Sequence, residues 1–226
     1  MMPSRYLVIG AAGHAQEVAW SAREASMAAG RSCELFFFDD RVPSGPLPSG
    51  LGDVVGTLDA VAAHVTEDAA LVMGVALPRL KVAVVERLAS IALPWATIVH
   101  PRATIGLNVS LGLGCYVAAG ALVTVNVRLG KFVTVNMHAQ VAHDGWLGDF
   151  VTLHPDAHLS GGVRIEDGCE IGTGAAVLPG VHVGSWAVLG AGCVAPRSLI
   201  GGATHVGVPA RVLARRMRRV NASPGR

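Results

Sequence analysis

Val133-Thr134-Val135-Asn136-Met137-His138-Ala139-Gln140-Val141-Ala142-His143-Asp144-Gly145-Trp146-Leu147 states one pattern three times: a small residue (Val133, Ala139, Gly145), then two positions later a branched aliphatic (Val135, Val141, Leu147). The same frame runs without a slip from Val99 to Leu189, one aliphatic every sixth residue. A period of six fits neither the roughly 3.6-residue period of an α-helix nor the alternation of a simple strand. It fits a coil with three short flat sides, the hexapeptide type of parallel β-helix, in which residue i+18 lies one coil above residue i. Known coils of this type are left-handed, against the usual right-handed crossover, although the period itself carries no hand. A weaker last coil is expected through Ile200 and Val206, before Gly207-Val208-Pro209-Ala210-Arg211.

Residues 1–94 have another texture. Tyr6-Leu7-Val8-Ile9-Gly10 reads as a buried strand, and Gly10-Ala11-Ala12-Gly13-His14-Ala15 as a tight turn into a helix ending near Ala29. Cys33–Phe38 reads as a second strand, closed by Asp39-Asp40. Pro43–Gly52 is a loop, followed by a short helix (Leu58–His64), a strand (Ala70–Val75) and a longer helix (Pro78–Ala92). Such alternation predicts a small Rossmann-like parallel sheet covered by helices. Leu93-Pro94-Trp95 marks the boundary, so that an α/β domain spans 1–94, a parallel β-helix 95–211 and a basic tail 212–226. The arginines of Arg211–Arg219 read as a solvated terminal helix.

Composition narrows the function classes. A chain 51% hydrophobic and 15% charged folds, and a net charge of +2 offers no field for nucleic acid. The apolar runs are too short or too Gly-interrupted to cross a bilayer, and Met1–Arg5 leads into a strand without a signal peptide, so a cytoplasmic location is expected. Cys115, Cys169 and Cys193 fall on the small inward position. Cys115 and Cys169 share a side three coils apart, roughly 14 Å at about 4.8 Å per strand, too far for a disulfide or a shared metal. They read as buried filler in a reducing compartment.

The frame then places the chemistry. His143 stands at a corner between two sides, where an imidazole can leave the core, and Asp144 can orient it and stabilise its cation. One coil above lies Gly161, in Ser160-Gly161-Gly162, whose N–H, free of any Cβ, can face an oxyanion. A corner histidine beside an aspartate is also compatible with a plain solvated surface. Asn136 reads either as a partner of the same imidazole or as a turn residue in left-handed backbone. His138, His154, His158 and His182 are spread over different sides and coils, so no metal site is predicted. His100-Pro101 reads as a strand-end corner. Gly10-Ala11-Ala12-Gly13 is a phosphate-compatible turn, although Ala12 and Ala15 replace two glycines of the dinucleotide fingerprint. Asp39 and Asp40 can reach a ribose or base, or simply end a strand.

Val8-Ile9-Gly10-Ala11-Ala12-Gly13-His14-Ala15, Phe38-Asp39-Asp40, Ile98-Val99-His100-Pro101-Arg102-Ala103, the stretch from Asn136 through His143-Asp144, and Gly207-Val208-Pro209-Ala210-Arg211 together resemble one family. It is that of the bacterial sugar acetyltransferases similar to sialic acid O-acetyltransferase, which includes N-acetyltransferases of nucleotide-linked 4-amino sugars of the perosamine and bacillosamine type. The resemblance implies homotrimers of left-handed prisms with active sites between subunits, and acetyl-CoA as co-substrate with no metal. It implies that His143 is the general base, Asp144 its support and the Gly161 amide the oxyanion donor. It also implies a nucleotide-sugar held by Gly13, His14, Asp39, Asp40 and Asn136, and acetyl-CoA held by Thr152, Gly161, Gly162, Pro209 and Ala210. Two departures stand out: Ala12 where the family turn often has Gly, and Thr152 where the family often has a His beside the acetyl group, a contact His154 or a backbone amide can replace.

The expected reaction is acetyl transfer from acetyl-CoA to the 4-amino group of a nucleotide-linked 4-amino-4,6-dideoxy sugar, with no acyl-enzyme. O-acetylation of sialic acid or a related sugar would use the same His143. Rivals of other classes are a nucleotide-sugar binding module, a non-catalytic scaffold, and a zinc hydratase of the γ-carbonic-anhydrase type. The last needs three histidines per zinc at an interface, and His138, His143 and His158 stand in the wrong register.

Overall fold

The computed structural model describes residues 3–213. Its first part alternates β1 (Arg5–Ile9), α1 (Gly13–Ala28), β2 (Glu34–Phe38), β3 (Gly45–Pro46), β4 (Asp53–Gly56), a 3₁₀ helix (Leu58–His64), β5 (Ala69–Met73) and α2 (Pro78–Arg87). The sheet order is β3-β4-β2-β1-β5, parallel except for β3. Successive residues of β1 point to opposite faces. Tyr6 and Val8 pack with Ala15, Val18 and Ala22 of α1, whereas Leu7 and Ile9 pack with Leu58, Val61 and Leu88 on the other side. Being apolar on both faces, β1 is the buried centre of the sheet.

Three boundaries differ from the sequence reading. The loop at 43–52 folds back as a hairpin, with Gly45–Pro46 antiparallel to Asp53–Gly56, a strand the sequence reading passed over. The helix predicted over Pro78–Ala92 ends at Arg87, because Ile91 and Leu93 turn down onto the core formed with Leu71 and Leu88. Trp95 still bridges to Leu71, and the first solenoid strand is Ile98–Val99.

From there the chain is a left-handed parallel β-helix of two-residue strands. Its three sheets repeat every 18 residues, as in Val123↔Val141↔Leu159↔Val177. From Cys115 to Ala195 the inward frame positions are buried in one continuous core. Below it the prism is open: Ile105 is exposed, and Val99, Ala103 and Leu111 are only partly covered. Above it the expected last coil slips. Leu199 bridges to Val183 sixteen residues below and is buried, and Ile200, predicted inward, is exposed. Arg211–Val212 is not helical but an antiparallel strand on Thr204–Val206; the rest of the predicted tail helix lies outside the described residues.

Most corners turn through a left-handed residue, either glycine or one of Asn108, Asn126, Phe132, His138, Asp144, Phe150, Asp156 and Trp186, these with φ between 54° and 62°. Asn136 is not such a residue; the left-handed position of its turn is His138 (φ 57°). The helix α1 is pressed between its own sheet and the solenoid face bearing Ile98, Tyr116 and Ala118. At the next corner Trp95 meets Phe132 edge-on (5.2 Å), and Phe132 stacks on Phe150 (5.3 Å). Among the described residues no helix is long and apolar enough to cross a membrane.

Candidate active site

Asp144 occupies a left-handed corner (φ 60°), which turns the side chain of the preceding His143 outward; its side chain is 63% exposed. His143 Nδ1 lies 2.8 Å from Asp144 Oδ2, and Asn126 Nδ2 donates to the other carboxylate oxygen at 3.1 Å. These two hydrogen bonds, that from His143 first, hold the Asp144 carboxyl below its usual range. An ionised Asp144 accepts the Nδ1 proton and leaves Nε2 as the imidazole's open basic nitrogen.

Gly161 sits one coil above, and an added Cβ there would overlap the His143 ring. Its N–H has no protein acceptor among the described residues, whereas the neighbouring Gly162 N–H is taken up by the His143 carbonyl (2.9 Å). The contrast with another corner is instructive. There the equivalent amides of Lys131 and Asp149 are bound by Asp149 Oδ1 and Asp167 Oδ1 of the coil above (2.7 and 2.8 Å). At the His143 corner the residue one coil above Gly161 is Pro179, which supplies no such carboxylate, and the Gly161 amide remains a donor for something else. Beside the corner lies a hollow of about 290 Å³ walled by Leu122, Thr124, Gln140, His158 and Ser160.

A second cavity, of about 460 Å³, lies at the carboxyl end of the first sheet. Gly10 (φ +104°) and Gly74 form its floor; a Cβ on Gly74 would lie 2.6 Å from the Ile9 carbonyl. Ala12 and His14 bring in the start of α1, where no side chain caps the helix and the first-turn N–H groups face outward from the helix end. His14 lines the cavity, edge-on to Tyr116, with a buried Nε2 that has no partner. Gly13 opens the helix without lining the cavity.

Asp39 and Asp40 also line this cavity, but their carboxylates are occupied. Asp39 accepts from the amides of Ala11 (2.8 Å), Arg41 (2.8 Å) and Val42 (3.1 Å). Asp40 accepts from Leu58 N (3.2 Å) and pairs with Arg87 (2.5 Å), which lowers its carboxyl pKa. They shape the cavity rather than offer it free oxygens. Three further expected contacts are corrected. Asn136 is buried and accepts from Met137 N (2.9 Å), with no hydrogen bond to His143. Thr152 is 0% exposed, its hydroxyl held between Lys81 Nζ (2.8 Å) and the Ala76 carbonyl (2.5 Å), and so is closed to a ligand. Ala210 is buried over the top of the core with its N–H on the Val194 carbonyl, whereas Pro209 is exposed, as are Gly207 and Val208 of the same turn. The inward thiols of Cys115 and Cys169 are pushed up to about 11 by burial, which disarms them as nucleophiles.

The chain is similar over 93% of its length, at 34% identity and a TM-score of 0.85, to the whole of the acetyltransferase domain of PglB from Neisseria gonorrhoeae, a domain also solved in complex with acetyl coenzyme A. It belongs to the bacterial sugar acetyltransferases. Further similar structures are a histidine variant of perosamine N-acetyltransferase from Caulobacter crescentus in complex with CoA and GDP-perosamine (28% identity, 95% and 98% of the two chains, TM-score 0.83) and WeeI from Acinetobacter baumannii (29%, 92% and 99%, 0.83). No protein-family model and no curated protein sequence matches the chain.

The acetyltransferase also contains groups that sequence reading missed. Arg41 and Arg87 bring positive charge to the α/β cavity. Lys81, fully buried on α2, donates to Phe132 O (2.9 Å), Thr134 Oγ1 (2.8 Å) and Thr152 Oγ1 (2.8 Å), and burial pushes its pKa down to about 7. The only hint in the sequence is its place in the otherwise apolar run Leu80-Lys81-Val82-Ala83-Val84. In one protomer the α/β cavity and the His143 hollow share no lining residue.

Proposed function

We propose that this chain is an acetyl-CoA-dependent N-acetyltransferase that acylates the 4-amino group of a nucleotide-linked 4-amino-4,6-dideoxy sugar. The observation that carries the mechanism is the corner itself: His143 held through Nδ1 by Asp144, beneath the unpaired N–H of Gly161. In this reading the neutral amine attacks the thioester carbonyl, and the Gly161 N–H holds the negative oxygen of the tetrahedral species. His143 Nε2 takes the surplus proton of the new nitrogen–carbon bond and returns it to the departing thiolate, so the C–S bond breaks to give free CoA. The hollow beside this corner suits a thioester arm because it sets the polar groups of Thr124, Gln140, His158 and Ser160 beside the apolar Leu122 and Leu159. The α/β cavity suits a nucleoside diphosphate, since it joins an uncapped helix start to Arg41, Arg87 being taken up by Asp40 and Asp59.

The two cavities share no lining residue in one protomer, which supports including in the reading a homotrimer in which one subunit's cavity faces its neighbour's His143. Thiol release from acetyl-CoA, measured against UDP-, GDP- and dTDP-linked 4-amino sugars and free sialic acid, tests it. Turnover with a nucleotide-linked amine is expected. Turnover with sialic acid alone would replace the reading by O-acetylation, and thiol release with none of them would overturn it.

A further inference from the structure

A chain of side chains runs up the His143 corner from two coils below. Asn108 Nδ2 donates to Asn126 Oδ1 at 2.9 Å, Asn126 Nδ2 donates to Asp144 Oδ1 at 3.1 Å, and Asp144 Oδ2 meets His143 Nδ1 at 2.8 Å. The three carboxamide and carboxylate residues sit at exact coil spacing, 18 residues apart, all in left-handed backbone (φ 54°, 58° and 60°). Asn and Asp are the non-glycine residues that accept this conformation most readily. The fold therefore asks for them at a corner, and the 18-residue pitch then stacks their short polar arms.

The direction of the chain is fixed by chemistry. Ionised Asp144 can only accept, so Asn126 must present its NH₂ upward, which leaves its carbonyl oxygen for the Asn108 NH₂ below. Asn126 thus restrains one oxygen of Asp144, and with it the carboxylate plane that aims the His143 ring. From this geometry we infer that Asn126 is a positioning residue for the His143–Asp144 pair, with Asn108 setting the orientation of the Asn126 amide. Asn126 makes no hydrogen bond to His143 and does not line the hollow beside it, so its polar link to the base runs through Asp144. The inference rests on the acetyl-transfer reading for its effect on rate, but the ladder itself can be read without turnover.

The test compares Asn126→Gly with Asn126→Asp. Glycine keeps the left-handed backbone and removes the donor; aspartate keeps backbone and shape and replaces the donor by a second negative charge against Asp144. A residue that merely fills the corner orders the variants with aspartate near wild type. A positioning donor orders them the other way. Asn126→Gly should lower kcat by roughly threefold to thirtyfold with the KM of both substrates little changed. Asn126→Asp should lower it at least as far and move the acid limb of kcat/KM to higher pH, because added negative charge favours the imidazolium and the base must be neutral. Of the residues at this corner (107–108, 125–126, 143–144, 161–162) only His143 and Asp144 titrate in the wild type. In a His143→Ala background neither substitution should lower the residual rate further.

Independently of turnover, the imidazole titration of His143, followed by NMR, should shift upward in Asn126→Asp. A wild-type titration in Asn126→Asp overturns the inference whatever the enzyme's substrate proves to be. An upward shift with no acetyl transfer to any acceptor keeps the ladder and rejects the proposed reaction.

Discussion

His143 and Gly161 constrain one another. The imidazole lies under a backbone that has no room for a side chain, so the glycine sets the ring's ceiling while its amide keeps no acceptor among the described residues. His143→Ala should lower kcat by about 10²- to 10⁴-fold with KM nearly unchanged; steady-state kinetics giving near-wild-type turnover would remove His143 from the chemistry. Gly161→Ala offers a second test, since its methyl displaces the ring without deleting it. A comparable fall in kcat is expected, and an unaffected rate would show that the ring need not lie there. His143, Asp144 and Gly161 were legible in the sequence because the hexad is a coordinate system: position in the chain gives position in space. Asp39 and Asp40 were legible in place but not in role, since nothing in the sequence marks which backbone amides or arginines will claim a carboxylate. Thr152 was misread for a related reason. The frame puts it on an outer face, but only the folded α2 shows that the face is covered.

The helix α2 is fastened by one cation. Lys81 crosses from it to four acceptors on two solenoid coils, all of them neutral, and Thr152 links that cluster to Ala76 in the wall of the α/β cavity. Burial without a carboxylate partner lowers the lysine from its ordinary 10.5 to about 7, with the Cys115 sulfur and Glu170 opposing the shift. Below the folded value both states are protonated, and the fold bears the full cost of a buried ammonium. As pH rises between about 7 and 10 only the unfolded chain keeps the proton, so stability increases across that window. Urea unfolding of wild type and Lys81→Met at several pH values checks this. The wild type should gain on the variant as pH rises, and a difference that stays constant would mean that Lys81 does not titrate as described. The strands of the first sheet were readable from their apolar runs. The early end of α2 and the hairpin at Gly45–Pro46 were not, because tertiary packing of Ile91 and Leu93 and a pairing with β4 decide them.

At the scale of the molecule, the proposed trimer has the α/β cavity of one subunit working with the His143 corner of its neighbour. Leu80 lines the α/β cavity and is 45% exposed, so Leu80→Glu should spoil the cavity by placing a carboxylate where a diphosphate would lie, without touching the core. Co-expression of Leu80→Glu with His143→Ala then gives a direct test. If sites join across subunits, mixed assemblies regain activity, at about a quarter of sites for random mixing in a cyclic trimer. If each site lies within one chain, the mixture stays as inactive as its components.

The pitch of the solenoid has a further consequence. Since every strand, corner and ladder is indexed by eighteen residues, the protein's tolerance of insertion and deletion is quantised. Excising one whole coil above Gly161, such as residues 168–185, rejoins like with like and shortens the prism, leaving the His143 corner in register. Removing a single residue between Asn126 and Gly161 turns every inward side chain beyond it out of the core. The native chain makes a cut of two residues itself, at Leu199, which stacks sixteen residues above Val183 with its side chain still buried, and there the regular prism ends.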